Sequence, residues 1–211
     1  MATVHEMMQA AKSETSRFLS PIGKSANIPL IPFTEKQVEK FREYKQYVGA
    51  DAEYIPPGLT IEDLDKLGKV DASLFSVRNR LASQTTRGGW VMSIYGLVPE
   101  TIGLERKQAY PHQNALLDQF GLKNCFVDFG NALDQVYLKL LFLKRTGRYH
   151  LGWNVCWLNE FMLDGAGTYY MVLAHTPHLG LYVQMRFTDK GPDLGSSPII
   201  YPVHPVIRPR E

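Results

Sequence analysis

Apolar and polar residues alternate strictly over two stretches in the last third of the chain. From Tyr149 to Trp157 the odd positions are Tyr149, Leu151, Trp153, Val155 and Trp157, set against His150, Gly152, Asn154 and Cys156. From Leu179 to Phe187, the residues Leu179, Leu181, Val183, Met185 and Phe187 stand against Gly180, Tyr182, Gln184 and Arg186. Successive side chains of a strand point to opposite faces, so a period of two predicts strands with one face on a core. With a further run over 168–175, three strands are expected, at 149–158, 168–175 and 179–188. Asp164-Gly165-Ala166-Gly167 and Thr176-Pro177-His178 supply the turns. Connections this short imply an antiparallel meander, since parallel neighbours need a long crossover. The odd-numbered face is expected to be the core side.

The rest of the pattern is helical or broken. Residues 2–19 place Val4, Met7, Met8, Ala11, Phe18 and Leu19 in an amphipathic stripe that Pro21 and Gly23 end. Residues 27–33 carry two prolines and predict an extended linker. Thr34 with Gln37 forms a capping-box pattern opening a helix to about Tyr47, and Tyr54 to Leu59 breaks the chain again. Thr60 starts a short helix stopped by Gly68, and Asp71 is expected to cap another running to about Ser83. A strand over Trp90 to Val98, a helix over His112 to Phe120 and a short strand over Cys125 to Phe129 follow. Asn131 to Arg145 is apolar from Val136 to Leu143 except for Lys139. Its length, the late Lys144 and Arg145, and Gly147 favour a mostly buried helix over the sheet. After Asp189, five prolines spaced along the chain predict an extended arm.

The expected fold class is therefore α+β: an irregular helical N-terminal third, then an antiparallel β-meander covered by one or two helices. Residues 1–33 form an N-terminal helix and arm, 34–188 a core whose helical part is 34–87 and sheet part 88–188, and 189–211 a Pro-rich C-terminal arm.

Composition narrows the function classes. In 211 residues, 45% are hydrophobic and 11% aromatic, enough for a packed core. A net charge of +2 gives no bulk attraction to nucleic acid, leaving local patches as the only route. No apolar run is long enough to span a bilayer, and Glu6, Lys12 and Glu14 interrupt any signal-peptide core. Two cysteines make no disulfide framework, so a reducing intracellular location is expected, or a virion if the source is viral.

Candidate chemistry is sparse. His175 and His178 flank a turn, but a zinc site needs at least one more ligand and none is near in sequence. Cys156 and His150 share a strand face yet lie roughly 20 Å apart at strand rise, too far for a dyad. Gly165 and Gly167 give a G-x-G fragment without the third glycine or a following helix. Asp128 and Asp134 are paired carboxylates with no distinguishing spacing. Lys139, Lys144, Arg145 and Arg148 form an acid-free basic run, and Arg78, Arg80 and Arg87 a second. Beside Tyr182, Gln184 and Arg186, such a run could grip phosphates while Tyr182 stacks on a base. The expected site is accordingly Lys139, Lys144, Arg145, Arg148, Tyr182 and Arg186, with no metal and no cofactor.

These features predict a non-enzymatic structural or assembly protein that self-associates. It would resemble a viral matrix or coat protein in role and touch nucleic acid or, peripherally, a membrane surface. The alternative is a small intracellular enzyme or ligand-binding domain with its pocket where the sheet meets the covering helix, served by His150, His175 or Cys156.

Overall fold

A computed structural model describes residues 3–44, 49–71, 79–148, 151, 155–164, 167–176, 180–187 and 190–203, without the side chains of 161–164 and 167. The fold is α+β, with helices concentrated in the N-terminal part and antiparallel-rich sheets after it. Helix α1 spans Val4–Leu19, α2 Glu35–Glu43, α3 Ile61–Leu67, α4 Arg106–Phe120 and α5 Ala132–Thr146. Strands are β1 (Ala50–Ile55), β2 (Val70–Asp71), β3 (Gly89–Ile94), β4 (Cys125–Asp128), β5 (Val155–Asp164), β6 (Gly167–Thr176), β7 (Gly180–Arg186), β8 (Leu194–Gly195) and β9 (Ile199–Pro202).

Local chemistry explains most helix boundaries. Thr3, Thr34 and Thr60 each accept the N–H of the residue three positions on, and the side chains of Glu6, Gln37 and Asp63 return the bond. Gly147 ends α5 with φ of 67°, a left-handed conformation that glycine adopts without steric cost. Helix α4 starts six residues before its expected start at His112, because a Glu105–Gln108 capping box nucleates it upstream of Pro111. The proline leaves one rung of the helix ladder unmade without ending the helix.

The strands form two sheets. One has the order β1-β3-β9-β4 and is antiparallel throughout. The other has the order β2-β7-β6-β5-β8: the expected β5–β6–β7 meander, with parallel edge strands added on both sides. Helix α5 lies between the sheets, and every residue from Ala132 to Leu141 is buried. Its core cluster joins Ile55, Val91, Ile199 and Tyr201 of the first sheet to Cys156, Leu158, Leu173 and Val183 of the second. The opposite face of the first sheet buries Tyr54, Trp90, Met92 and Ile200 against Met7, Val38, Phe41 and Phe120. The opposite face of the second buries Trp157, Val172 and Ala174 against Ala109 and Phe129.

Several expectations change. In β5 the even residues Cys156 and Leu158 face α5, while in β7 the odd residues Leu181 and Val183 do. Cys156 lies opposite Leu173 and Leu173 opposite Val183, and residues directly opposite share a face whatever their parity. Both faces of β5 are therefore covered, and the odd face is not the α5 side there. Positions 149, 150 and 152–154 of the opening alternation lie outside the described residues, as do the 165–166 and 177–179 turns. Asp71 ends β2 and 79–81 are helical; the start of the helix it was expected to cap lies outside the described residues with 72–78, as do 45–48 at the expected end of α2.

Of the segment expected as a C-terminal arm, 194–201 are extended but enclosed, and 189 and 204–211 lie outside the described residues. Leu194 to Tyr201 are buried, and β9 runs between β3 and β4 as an interior strand. Pro198 and Pro202 flank or end that strand, where a missing N–H does least harm. The N-terminal linker is likewise docked, with Ile28, Ile31 and Phe33 buried and the Trp90 indole donating to the Pro29 carbonyl at 2.8 Å.

Candidate functional site

The expected basic site does not assemble. Lys139 is buried between the sheets and donates to the Tyr95 carbonyl and Ser197 hydroxyl, and at 3.5 Å to the Ile94 carbonyl. Burial pulls its ammonium down to about 8. A lysine in the middle of a fully buried helical face cannot reach a phosphate outside. Arg145 is also committed: its guanidinium bridges Glu14 of α1 and Glu53 of β1. On the second sheet Tyr182 is half-buried against the outer cluster, and Arg186 pairs with Asp193 at 3.0 Å, holding that carboxyl below its usual range. Lys144 and Arg148 remain exposed, Lys144 with its ammonium 5.8 Å from the Phe18 ring centre. An open cleft of about 380 Å³ beside Glu14, Arg17, Phe18, Lys144 and Arg145 lies at the C-terminal turns of α1 and α5. The negative ends of both helices point there, so its cations first offset helix dipoles.

The other candidates separate as well. Cys156 is fully buried and burial raises its thiol, which suits an inert core cysteine and not a nucleophile. His175 is half-buried near the end of β6, while His150, His178 and Arg78 lie outside the described residues. Among the described residues, no group of three or more His, Cys, Asp or Glu side chains could hold a metal ion.

What the structure does concentrate lies around the N-terminal end of α5. Asn131 caps the helix by accepting the Asp134 N–H at 2.7 Å. Asp134 is buried, and its two oxygens accept the Arg87 backbone N–H and the Tyr201 hydroxyl, each at 2.9 Å. Burial pushes its carboxyl up to about 6, against those two hydrogen bonds and the Arg87 charge. Glu160 of β5 accepts the Ala132 N–H at 2.9 Å, and burial raises it too. Asp128 accepts the Asn159 amide and lies 3.8 Å from Arg87, whose guanidinium is 5.4 Å from the Tyr201 ring centre. Beside Asn159 and Glu160 opens a cleft of about 450 Å³, completed by Arg80, Ser83, Gln84 and Met171.

Gly130 makes this corner possible. Its φ is +80°, and a Cβ there would sit 2.5 Å from Ile199 Cδ1, so the turn from β4 into α5 admits only glycine comfortably. Of these residues, Asp128 and Asp134 were visible in the sequence as acids, but nothing in their spacing linked them to Arg87, Asn159, Glu160 or Tyr201. The capping position of Asn131 was the one local signal.

At the opposite end of α5, both oxygens of Glu53 accept from the Arg145 guanidinium, one at 2.7 Å, and the other also accepts the Tyr95 hydroxyl. Burial raises Glu53 to about 7 despite Arg145, whereas Glu14 and Glu53 make the guanidinium hold its proton more firmly than usual. A guanidinium does not lose its proton near neutrality, so the ion pair is the state above that pH and a neutral acid bonded to Arg145 the state below it.

No family model, characterised protein or solved structure matches the chain. Among the described residues, no helix is long and apolar enough to cross a membrane.

Proposed function

We propose that this chain is a non-enzymatic structural protein that self-associates, and that it does so through the β4 edge of the first sheet. The supporting observation is an exposed apolar strip on that edge. Phe126 is 43% exposed although it stacks on Tyr201 at 5.2 Å, and Val203, at the end of β9, is 53% exposed. An open cleft of about 350 Å³ adjoins them, with Pro32, Phe33, Leu122, Cys125 and Val203 in its walls. Edge strands carry unpaired backbone groups, and an edge with exposed aromatics favours strand addition over solvent. A second copy offers the same strip, which gives the self-complementary contact of a two-fold dimer.

A viral matrix or coat protein is the class of assembly protein this fits, with Lys144 and Arg148 as the cations still available to nucleic-acid phosphate or a membrane surface. The alternative of an enzyme built on His150, His175 and Cys156 has less support, because Cys156 is enclosed in the core. Sedimentation velocity over a wide concentration range tests the proposal. The wild type is expected to show a concentration-dependent dimer or larger species, and Phe126→Asp a folded monomer with the wild-type circular dichroism spectrum. A wild type that stays monomeric throughout overturns it.

A further inference from the structure

We infer that two copies of this chain join through β4 in a single register, antiparallel and with Phe126 on the two-fold axis; this rests on the self-association proposed above. The pairing within the first sheet decides which backbone groups are available. Asn124, one position before β4, accepts the Val203 N–H at 2.8 Å. On the other side of β9, the Ile94 N–H bonds to the Pro198 carbonyl at 3.2 Å. Antiparallel residues alternate between pairs that exchange bonds and pairs that do not. Phe126 and Asp128 therefore bond inward to Tyr201 and Ile199, while Cys125 and Val127 turn their N–H and C=O groups off the edge. The Cys125 N–H is taken by the Leu122 carbonyl at 3.2 Å. The Val127 N–H and the carbonyls of Cys125 and Val127 are left for a second strand.

Bonds across a two-fold axis must join two outward-turned residues, so the axis can pass Cys125, Phe126 or Val127 if β4 is to lie over its copy. With Cys125 on the axis, Val127 and Asp128 would meet Lys123 and Leu122. Those two belong to the turn that closes α4, where the Leu122 N–H is held by the Leu117 carbonyl at 2.9 Å. With Val127 on the axis, the Asp128 carboxylate would face the Phe126 ring. Cys125 would also need Phe129, which is fully buried with its carbonyl bonded to Gln135. With Phe126 on the axis, the Val127 N–H of each copy reaches the Cys125 carbonyl of the other. Phe126 then stands opposite Phe126 in a non-bonded pair, the closer kind, at about 4.5 Å between Cα atoms. Each ring already stacks on its own Tyr201, so four rings run across the axis. Asp128 comes opposite Asn124, whose exposed amide donates to a carboxylate, and no like charges stand opposite each other.

NMR on the full chain tests the register once sedimentation has shown the dimer. A dimer mixed from isotope-labelled and unlabelled chains should give Hα–Hα contacts between copies from Phe126 to Phe126 and from Asn124 to Asp128. Where about nine-tenths of the chains are paired, the Val127 amide should exchange with solvent about tenfold more slowly than in dilute solution, because exchange waits for dissociation. Val127→Pro removes the outward donor, and an edge strand tolerates proline where its N–H faces solvent, so the variant should fold. Its dimer dissociation constant should rise at least about tenfold, since both bonds across the axis are lost. The two wild-type measurements decide whether or not that variant folds. Contacts between copies from Phe126 to Asn124 or to Asp128, an unprotected Val127 amide in a proven dimer, or undiminished pairing of a folded Val127→Pro would overturn the register and leave self-association standing. A wild type that is monomeric at every concentration removes both.

Discussion

The two ends of α5 handle buried carboxylates in opposite ways. At the C-terminal end Glu53 faces a full positive charge, with Arg145 bridging it to Glu14. At the N-terminal end Asp134 is neutralised by backbone and hydroxyl donors, and its cation, Arg87, contributes a backbone N–H. Burial raises both carboxyls. The difference is what happens when the proton leaves. At the C-terminal end the charge that appears has a guanidinium bonded to it; at the N-terminal end it meets hydrogen-bond donors and the helix dipole, with the Arg87 guanidinium acting on it while paired to Asp128. One end is therefore an ion-pair clamp between α1, β1 and α5, and the other a polar junction whose charges are only partly compensated.

Removing the clamp should have the largest effect. Arg145→Met leaves Glu53 buried beside an apolar side chain, and breaking a buried pair by deleting one partner typically costs about 3–5 kcal/mol. Arg145 keeps 29% of its side-chain surface exposed, so about 2–3 kcal/mol is the expected loss above neutral pH. Without its partner Glu53 shifts further up and protonates, so the loss should shrink as pH falls towards about 7 and level off below it, where Glu53 is a neutral acid in the wild type too. Urea unfolding of both proteins across that range measures it. A loss independent of pH would mean that Arg145 acts through packing rather than through Glu53. In the double variant Glu53→Gln/Arg145→Met the losses should be less than additive, because the second change removes the orphaned charge.

Asp134→Asn reverses the sign of the pH effect. A carboxyl raised from 3.8 to about 6 binds more proton in the fold than in the unfolded chain, so its contribution to stability falls as pH rises between those values. Asparagine has no proton to lose and can still accept one bond. Relative to the wild type, the variant should therefore gain on the order of 1–2 kcal/mol between those pH limits. Parallel stability curves for the two proteins would erase the contrast between the helix ends.

Lys139, between the ends, supplies a third slope. Its ammonium is lowered from 10.5 to about 8, so the unfolded chain binds more proton between those values and the fold gains stability as pH rises through them. Lys139→Met should remove that gain at high pH while changing stability at neutral pH by about 1 kcal/mol, since lost hydrogen bonds and relieved desolvation oppose each other.

The sequence showed well those features that rest on local periodicity or caps: the meander, α1, the Thr34 and Thr60 helices, and α5 as a buried helix. It concealed those set by tertiary pairing. Strand β1 goes unread between the expected helix to Tyr47 and the Tyr54–Leu59 break: its inward Glu53 is charged, and the Arg145 that makes burial tolerable lies 92 positions away. Strand β9 reads as an arm because its prolines outweigh Ile199, Ile200 and Tyr201, although those prolines occupy strand ends. The basic run looked like a surface because linear charge says nothing of radial position. Lys139 lies inside the helix stripe that made α5 legible as buried, and the same pattern that revealed the helix implied that its lysine was enclosed.

Lys144 provides the smallest test and the cleanest one for the clamp. It is the immediate neighbour of Arg145 but is exposed, with its ammonium 5.8 Å from the Phe18 ring centre. If bulk charge at the C-terminal end of α5 were what mattered, Lys144→Glu would destabilise much as Arg145→Met does. If the specific bridge matters, Lys144→Glu should lose only the dipole and ring contacts, about 0.5 kcal/mol, and that loss should fade at high salt. The wild-type response to Arg145→Met should persist in the same salt, because Glu53 is screened by protein rather than by ions. A comparable, salt-sensitive loss in both variants would reduce the difference between the two ends to surface electrostatics.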